Sequence, residues 1–167
     1  MPLADDLALA LGAALRERRL RVATAESCTG GLVAGAITSV AGSSDWFERG
    51  FVTYSNDAKR EMLGVPIALI EAHGAVSEPV VAAMAAGALD ASAADCAVSV
   101  TGVAGPGGGT AAKPVGMVCF GFALRGSPPR VETRRFAGDR AAVRIASVEA
   151  ALAGLIDLVA NSGDPAR

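Results

Sequence analysis

At 167 residues, with 51% hydrophobic and 19% charged side chains, the chain has the size and make-up of one globular domain, which excludes a disordered polymer. A formal net charge of −2 gives no electrostatic reason to bind nucleic acid. The mean hydropathy is positive, but alanine supplies much of it and no apolar run reaches the roughly 18 residues a bilayer span needs, so no membrane partner is expected.

Residues 7–20 repeat apolar side chains at helical spacing, with Asp5 and Asp6 placed to suit a helix N-terminus. The acidic residues come first and Arg16, Arg18 and Arg19 last, the reverse of a secretory signal, so this reads as a mature amphipathic helix. Residues 21–25 are small and apolar, a buried strand, and Glu26-Ser27-Cys28-Thr29-Gly30-Gly31 then turns into a helix over 32–40. Ser43, Ser44 and Asp45 are cap residues for a short piece around Trp46 and Phe47. Residues 50–54 read as a strand, with Asn56 or Asp57 capping a helix to about Leu63. Glu71-Ala72-His73-Gly74 looks like a helix end with a glycine cap. Ser77-Glu78-Pro79 starts a helix that runs to about Ser92.

Residues 96–100 form a β-branched strand that leads into the glycine-rich stretch 102–109. Two further strands, 115–124 and 131–136, make a hairpin, and Gly138-Asp139 opens a last helix to about Val159. The domain is expected to span 1–160, with 161–167 a disordered tail. Helices alternating with strands, then a hairpin, imply a single-domain three-layer α/β sandwich with a mixed sheet. Ligands gather in such sheets where strand C-termini meet helix N-termini. Polar or glycine-rich segments follow Ala25, Tyr54 and Val100 at such junctions.

The chemistry follows from these junctions. Ser27, between a strand and a helix, would lie near backbone N–H groups able to hold an oxyanion, although a plain N-cap is the simpler role for Ser27 or Thr29. No Gly-x-Ser-x-Gly elbow is present, which removes the α/β-hydrolase reading. A serine needs a base. His73, the only histidine, looks structural at its helix end. Lys59, one of only two lysines, can become that base if burial lowers its pKa, with Tyr54 relaying a proton and Arg60 adding to the depression. The Tyr54–Lys59 spacing is one residue too long for a short-chain dehydrogenase pair. The glycine stretch lacks the lysine of a Walker loop, but its backbone could approach a phosphate or sugar, and Arg140 could reach a phosphate. Three cysteines without a Cys-x-x-Cys pair and a single histidine argue against disulfides and zinc, and fit a reducing cytoplasm with no metal and no cofactor.

Five segments in order, AESCTGGLVAGAIT (25–38), AGSSDWFERGFVTYSNDAK (41–59), HGAVSEPVVAAMAAGAL (73–89), VSVTGVAGPGGGTAAKPVG (98–116) and FAGDRAAVR (136–144), resemble the CinA C-terminal domain family. Met117, where the family often has threonine, and the Gly-Pro-Gly-Gly-Gly loop are small departures. The resemblance includes stand-alone nicotinamide mononucleotide (NMN) deamidases. It implies conversion of NMN and water to nicotinic acid mononucleotide and ammonia, in pyridine-nucleotide salvage. It further implies Ser27 as nucleophile, Lys59 as base and Tyr54 as helper. Thr29, Gly30, Gly31, Ser44, Thr101, Gly102, Gly105 and Arg140 would then bind the mononucleotide. Many members carry a further N-terminal domain, and no pyrophosphatase activity of that domain is expected here. Resemblance and the alanine-rich helix from Pro79 make a homo-oligomer the expected state. Two rivals stay open: a Ser-Lys amidase acting on another amide, and a non-catalytic nucleotide-binding module.

Overall fold

The computed structural model describes residues 1–163. In chain order the elements are α1 (Pro2–Arg18), β1 (Val22–Glu26), α2 (Leu32–Thr38), a 3₁₀ turn (Ser43–Asp45), β2 (Phe47–Val52), α3 (Asn56–Leu63) and α4 (Ile67–His73). There follow α5 (Glu78–Asp90), β3 (Cys96–Gly102), β4 (Met117–Leu124), β5 (Arg130–Arg135) and α6 (Arg140–Ala160). The five strands form one sheet in the order β2-β1-β3-β4-β5, with β1 parallel to β2 and β3, and β4 antiparallel to β3 and β5. The expected mixed sheet and three layers are present.

Strand alternation decides what covers each face. Val22, Cys96, Val98, Val100, Val118, Phe120 and Phe122 join the core beneath α1, α2 and α6. On the other face Ala23, Ala25, Ala97 and Ala123 pack against α5 and its neighbours. Small residues there bring α5 close: a methyl at Gly121 would lie 2.7 Å from the Val81 carbonyl oxygen. The fully buried Trp46 and Phe122 meet Gly12 of α1 and Gly154 of α6, where no larger residue fits.

Several boundaries differ from the sequence reading. The strand expected over 50–54 is β2, three residues earlier, because Phe47 pairs in parallel with Val22. Glu48 and Arg49 disguise it; this is an edge strand, and its charged residues pair with each other outside the sheet. Ser43, Ser44 and Asp45 do not cap a helix but form the 3₁₀ turn themselves. Neither Asn56 nor Asp57 caps α3; the Ser55 hydroxyl accepts from the Ala58 amide. The alanine-rich α5, expected to support self-association, is packed on the sheet through Val80, Val81, Met84, Ala85 and Ala88. Of the expected tail, residues 161–163 are tied to α1, Arg18 donating to Ser162 Oγ at 3.1 Å and to the Gly163 carbonyl at 2.6 Å. Residues 164–167 lie outside the described residues.

Three parallel strands put their C-termini on one rim of the sheet. Ser27, Thr53-Tyr54 and the loop after Gly102 therefore converge there. β5, antiparallel to β4 and so running in the direction of β1–β3, ends on the same rim beside Met117 and delivers Gly138-Asp139-Arg140 to the same place.

Candidate active site

The rim encloses a cleft of about 190 Å³ lined by Ser27, Tyr54, Lys59, Thr101, Gly102 and Arg140, together with Cys28, Asn56, Ala75, Val76 and Ala104. Lys59 springs from the first turns of α3 and runs inward until it is 1% exposed. Its Nζ lies 3.1 Å from Ser27 Oγ, 2.9 Å from the Thr53 carbonyl oxygen and 3.3 Å from that of Tyr54. Burial lowers its pKa below the ordinary lysine value of 10.5. Arg60 takes no part in that depression; it faces Asp57 and Glu61 in exposed ion pairs.

Three oxygens around Nζ suit both protonation states. A neutral amine has two N–H bonds and one lone pair. The two carbonyls can take the N–H bonds, leaving the lone pair for the serine hydroxyl.

The turn that presents Ser27 is held by a residue the sequence reading passed over. Glu26 is completely buried. Its carboxylate accepts from the amides of Gly31 (3.2 Å), Val33 (2.8 Å) and Ala34 (3.0 Å). The helix α2 amides expected to serve an oxyanion are thus spent on Glu26. Those of Ser27 and Gly30 go to the carbonyls of Val100 and Ser27. The amides of Cys28 and Thr29 have no acceptor among the described residues. A carboxylate at a strand end immediately before a glycine turn and a helix was the signal available. The Glu26 carbonyl also accepts from the Thr53 amide at 2.8 Å, so one residue ties the Ser27 turn to the strand end that anchors Lys59.

The other expected residues divide into four groups. Thr101, Gly102 and Arg140 face the cleft; Thr101 Oγ1 donates to the Ala75 carbonyl, which closes one wall. Thr29, Gly30 and Gly31 build the turn behind the nucleophile, and Gly30 and Gly31 adopt φ of 56° and 101°, which glycine alone takes without strain. Arg144, also unforeseen, clamps that turn by donating to the carbonyls of Cys28 (3.1 Å) and Thr29 (3.3 Å). Gly105 takes part through its carbonyl, which accepts from Arg140 at 2.8 Å. Ser44 is exposed and sits before β2, on the opposite rim of the sheet from Ser27, so this chain does not bring it to the cleft.

The Tyr54 hydroxyl accepts from Arg140 at 3.1 Å, while its carbonyl, not its hydroxyl, meets Lys59. A second hollow of about 510 Å³ adjoins the cleft, with Ala104 and Arg140 in both linings and Arg144 in its wall. Cys28 stands next to the nucleophile, but burial raises its thiol pKa to about 11, which keeps it protonated. The glycine-rich loop is fastened to the far wall by Lys113, whose amine donates to the His73 carbonyl at the end of α4. Among the described residues no three His, Cys, Asp or Glu side chains gather as metal ligands would. Nor is any described helix long and apolar enough to cross a membrane.

The chain is 57% identical to the nicotinamide-nucleotide amidohydrolase PncC of Enterobacter agglomerans over 140 residues, 84% of this chain and 85% of that protein. It is 58% identical to the Escherichia coli K12 protein of the same name, over 80% of this chain and 81% of that one. A CinA-like protein of Akkermansia muciniphila matches at 53% identity over 93% of this chain but only 38% of its own length. Among solved structures, the competence/damage-inducible protein CihA of Agrobacterium tumefaciens superposes with a TM-score of 0.91 at 48% identity, covering 93% of this chain and 95% of that one. The CinA C-terminal domain model matches residues 4–159, and the chain belongs to that family.

Proposed function

We propose that this chain hydrolyses the carboxamide of nicotinamide mononucleotide, with Ser27 as nucleophile and Lys59 as its base. The amidohydrolase activity follows from kinship with curated nicotinamide-nucleotide amidohydrolases at 57% and 58% identity. The single observation that carries the catalytic assignment is the 3.1 Å approach of a buried lysine amine to the hydroxyl of Ser27.

In this mechanism neutral Lys59 takes the Ser27 proton as Oγ attacks the carboxamide carbon. The amides of Cys28 and Thr29 are the donors left for the oxyanion, and each such donor lowers the barrier by on the order of 3 kcal/mol. The C–N bond then breaks, Lys59 returns its proton to the departing ammonia, and an acyl ester remains on Ser27. Water, deprotonated by Lys59, attacks the ester, releasing nicotinic acid mononucleotide and restoring the serine. Tyr54 needs no relay role, since Lys59 reaches Ser27 directly; its carbonyl steers the amine. A guanidinium carries five N–H donors and Arg140 spends two here, so it keeps others for a phosphate entering the adjoining hollow. The all-free, buried cysteines Cys28, Cys96 and Cys119 support work in a reducing cytoplasm. Self-association, carried here only by the family resemblance, is tested by sedimentation velocity: a species of monomer mass alone would refute it.

The deciding assay is purified protein with NMN. Stoichiometric ammonia and nicotinic acid mononucleotide are expected; substrate recovered intact would reject the proposal, and faster hydrolysis of simple amides would favour the broader amidase.

A further inference from the structure

The substrate proposed above carries a pyridinium cation, and a cation entering a small cleft needs an anionic or an aromatic wall. Of the side chains lining the cleft none is a carboxylate: Lys59 and Arg140 are basic and the others neutral. Glu26, the nearest acid in sequence, points its carboxylate into the amides of α2, away from the opening. One lining residue is aromatic, Tyr54, the chain's single tyrosine.

Tyr54 is placed in an uncommon way for an aromatic residue. It is 62% exposed, although a large apolar ring gains by burial, and it is tethered at both ends. Its carbonyl accepts from Lys59 and its hydroxyl from Arg140. With its hydroxyl held by Arg140, the exposed ring has less rotamer entropy left to lose when a ligand covers it. Aromatic faces attract cations by roughly 0.5–2 kcal/mol and are the usual receptors for quaternary nitrogen. Arg140 is bound to the hydroxyl edge of the ring, and 62% of the residue stays exposed.

We propose that Tyr54 is the ring platform for the pyridinium, setting specificity for a cationic nicotinamide over a neutral one, and is not a proton carrier. This rests on the NMN assignment for the site, but it assigns the ring a binding role and the hydroxyl none in proton transfer.

The test compares NMN with its reduced 1,4-dihydro form, which keeps the carboxamide, ribose and phosphate and loses the ring charge. Binding is measured by calorimetry in a Ser27→Ala background, so that neither ligand is consumed. NMN is expected to bind several-fold to about tenfold tighter than the reduced form. Adding Tyr54→Phe should keep most of that preference, since the aromatic face remains although the Arg140 tether is lost, and adding Tyr54→Leu should erase it by weakening NMN alone. In the otherwise native enzyme, Tyr54→Leu should act mainly on KM. Equal binding of the two ligands, an unchanged preference in Tyr54→Leu, or a fall in kcat at unchanged KM in Tyr54→Leu would overturn the proposal. Should native protein release no ammonia from NMN while the binding preference follows the ring, the deamidase assignment fails and the platform stands. Should ammonia appear with a Tyr54-independent preference, the platform alone fails.

Discussion

An ammonium ion cannot take the proton of a serine, so everything at the residue scale turns on how Lys59 comes to be neutral. Burial works in that direction: the charged form loses its hydration inside the cleft, and the pKa is lowered from 10.5. Because the native pKa lies below the unfolded one, the unfolded chain holds more protons between the two values. Folding stability should therefore rise with pH across that window and show its full deficit below the native pKa. Activity should rise over the lower part of the same range, as Lys59 loses its proton. Replacing Lys59 with Met should lower kcat by about 10³-fold and remove both the alkaline rise in activity and that stability slope. Chemical denaturation and initial rates across pH check this, and a slope that persists in the variant would locate the titration elsewhere. Cys28 gives the converse expectation. Its thiol, held at about 11, is no competing nucleophile, so Cys28→Ala should keep turnover within about threefold and iodoacetamide should not inactivate the enzyme at neutral pH. Loss of most activity on alkylation at Cys28 would contradict this. Residue type and position after a strand made Ser27 and Lys59 candidates only, and it was the family resemblance that implied their pairing. The direct contact between them was not legible, since no spacing rule joins residues 32 apart on different strand ends.

At the scale of elements, the cleft is as good as the joints between strands and helices. Glu26 joins β1, α2 and the end of β2 through one buried carboxylate and one carbonyl. Glu26→Gln keeps the shape but replaces one accepting oxygen with an N–H₂ facing an amide. A loss of about 2–3 kcal/mol in stability is expected, with kcat falling more than KM rises, because the nucleophile turn is no longer held. Unaltered kcat in the folded variant would show that Glu26 serves only stability. Gly87 is a second joint: a methyl there would sit 2.0 Å from the Leu63 carbonyl oxygen, where α3 ends against α5. Gly87→Ala should cost roughly 1–3 kcal/mol and reduce turnover by shifting α3, which carries Lys59. Urea midpoints and kcat measured together check it, and a stable, fully active variant would show that α3 moves freely. The sequence revealed these helices and missed their joints. Ser55 displaced Asn56 as the cap of α3, and β2 hid behind Glu48 and Arg49, because an edge strand may carry charges that a buried one cannot.

For the whole molecule, topology explains why so few residues suffice. Three parallel strands and the end of β5 bring four sequence-distant segments to one rim, and the fold class that foretold this was readable from the alternation of periodic segments. What could not be read was sidedness: Ser44, in a motif adjoining β2, falls on the far rim because it precedes that strand where Thr53 and Tyr54 follow it. That Ser27 performs the attack is tested most directly by ammonia release from NMN in Ser27→Ala beside the native chain, at equal concentration and with folding verified by circular dichroism. A fall of about 10⁴-fold or more in kcat is expected. Release within about tenfold of native by the folded variant would remove serine from the mechanism.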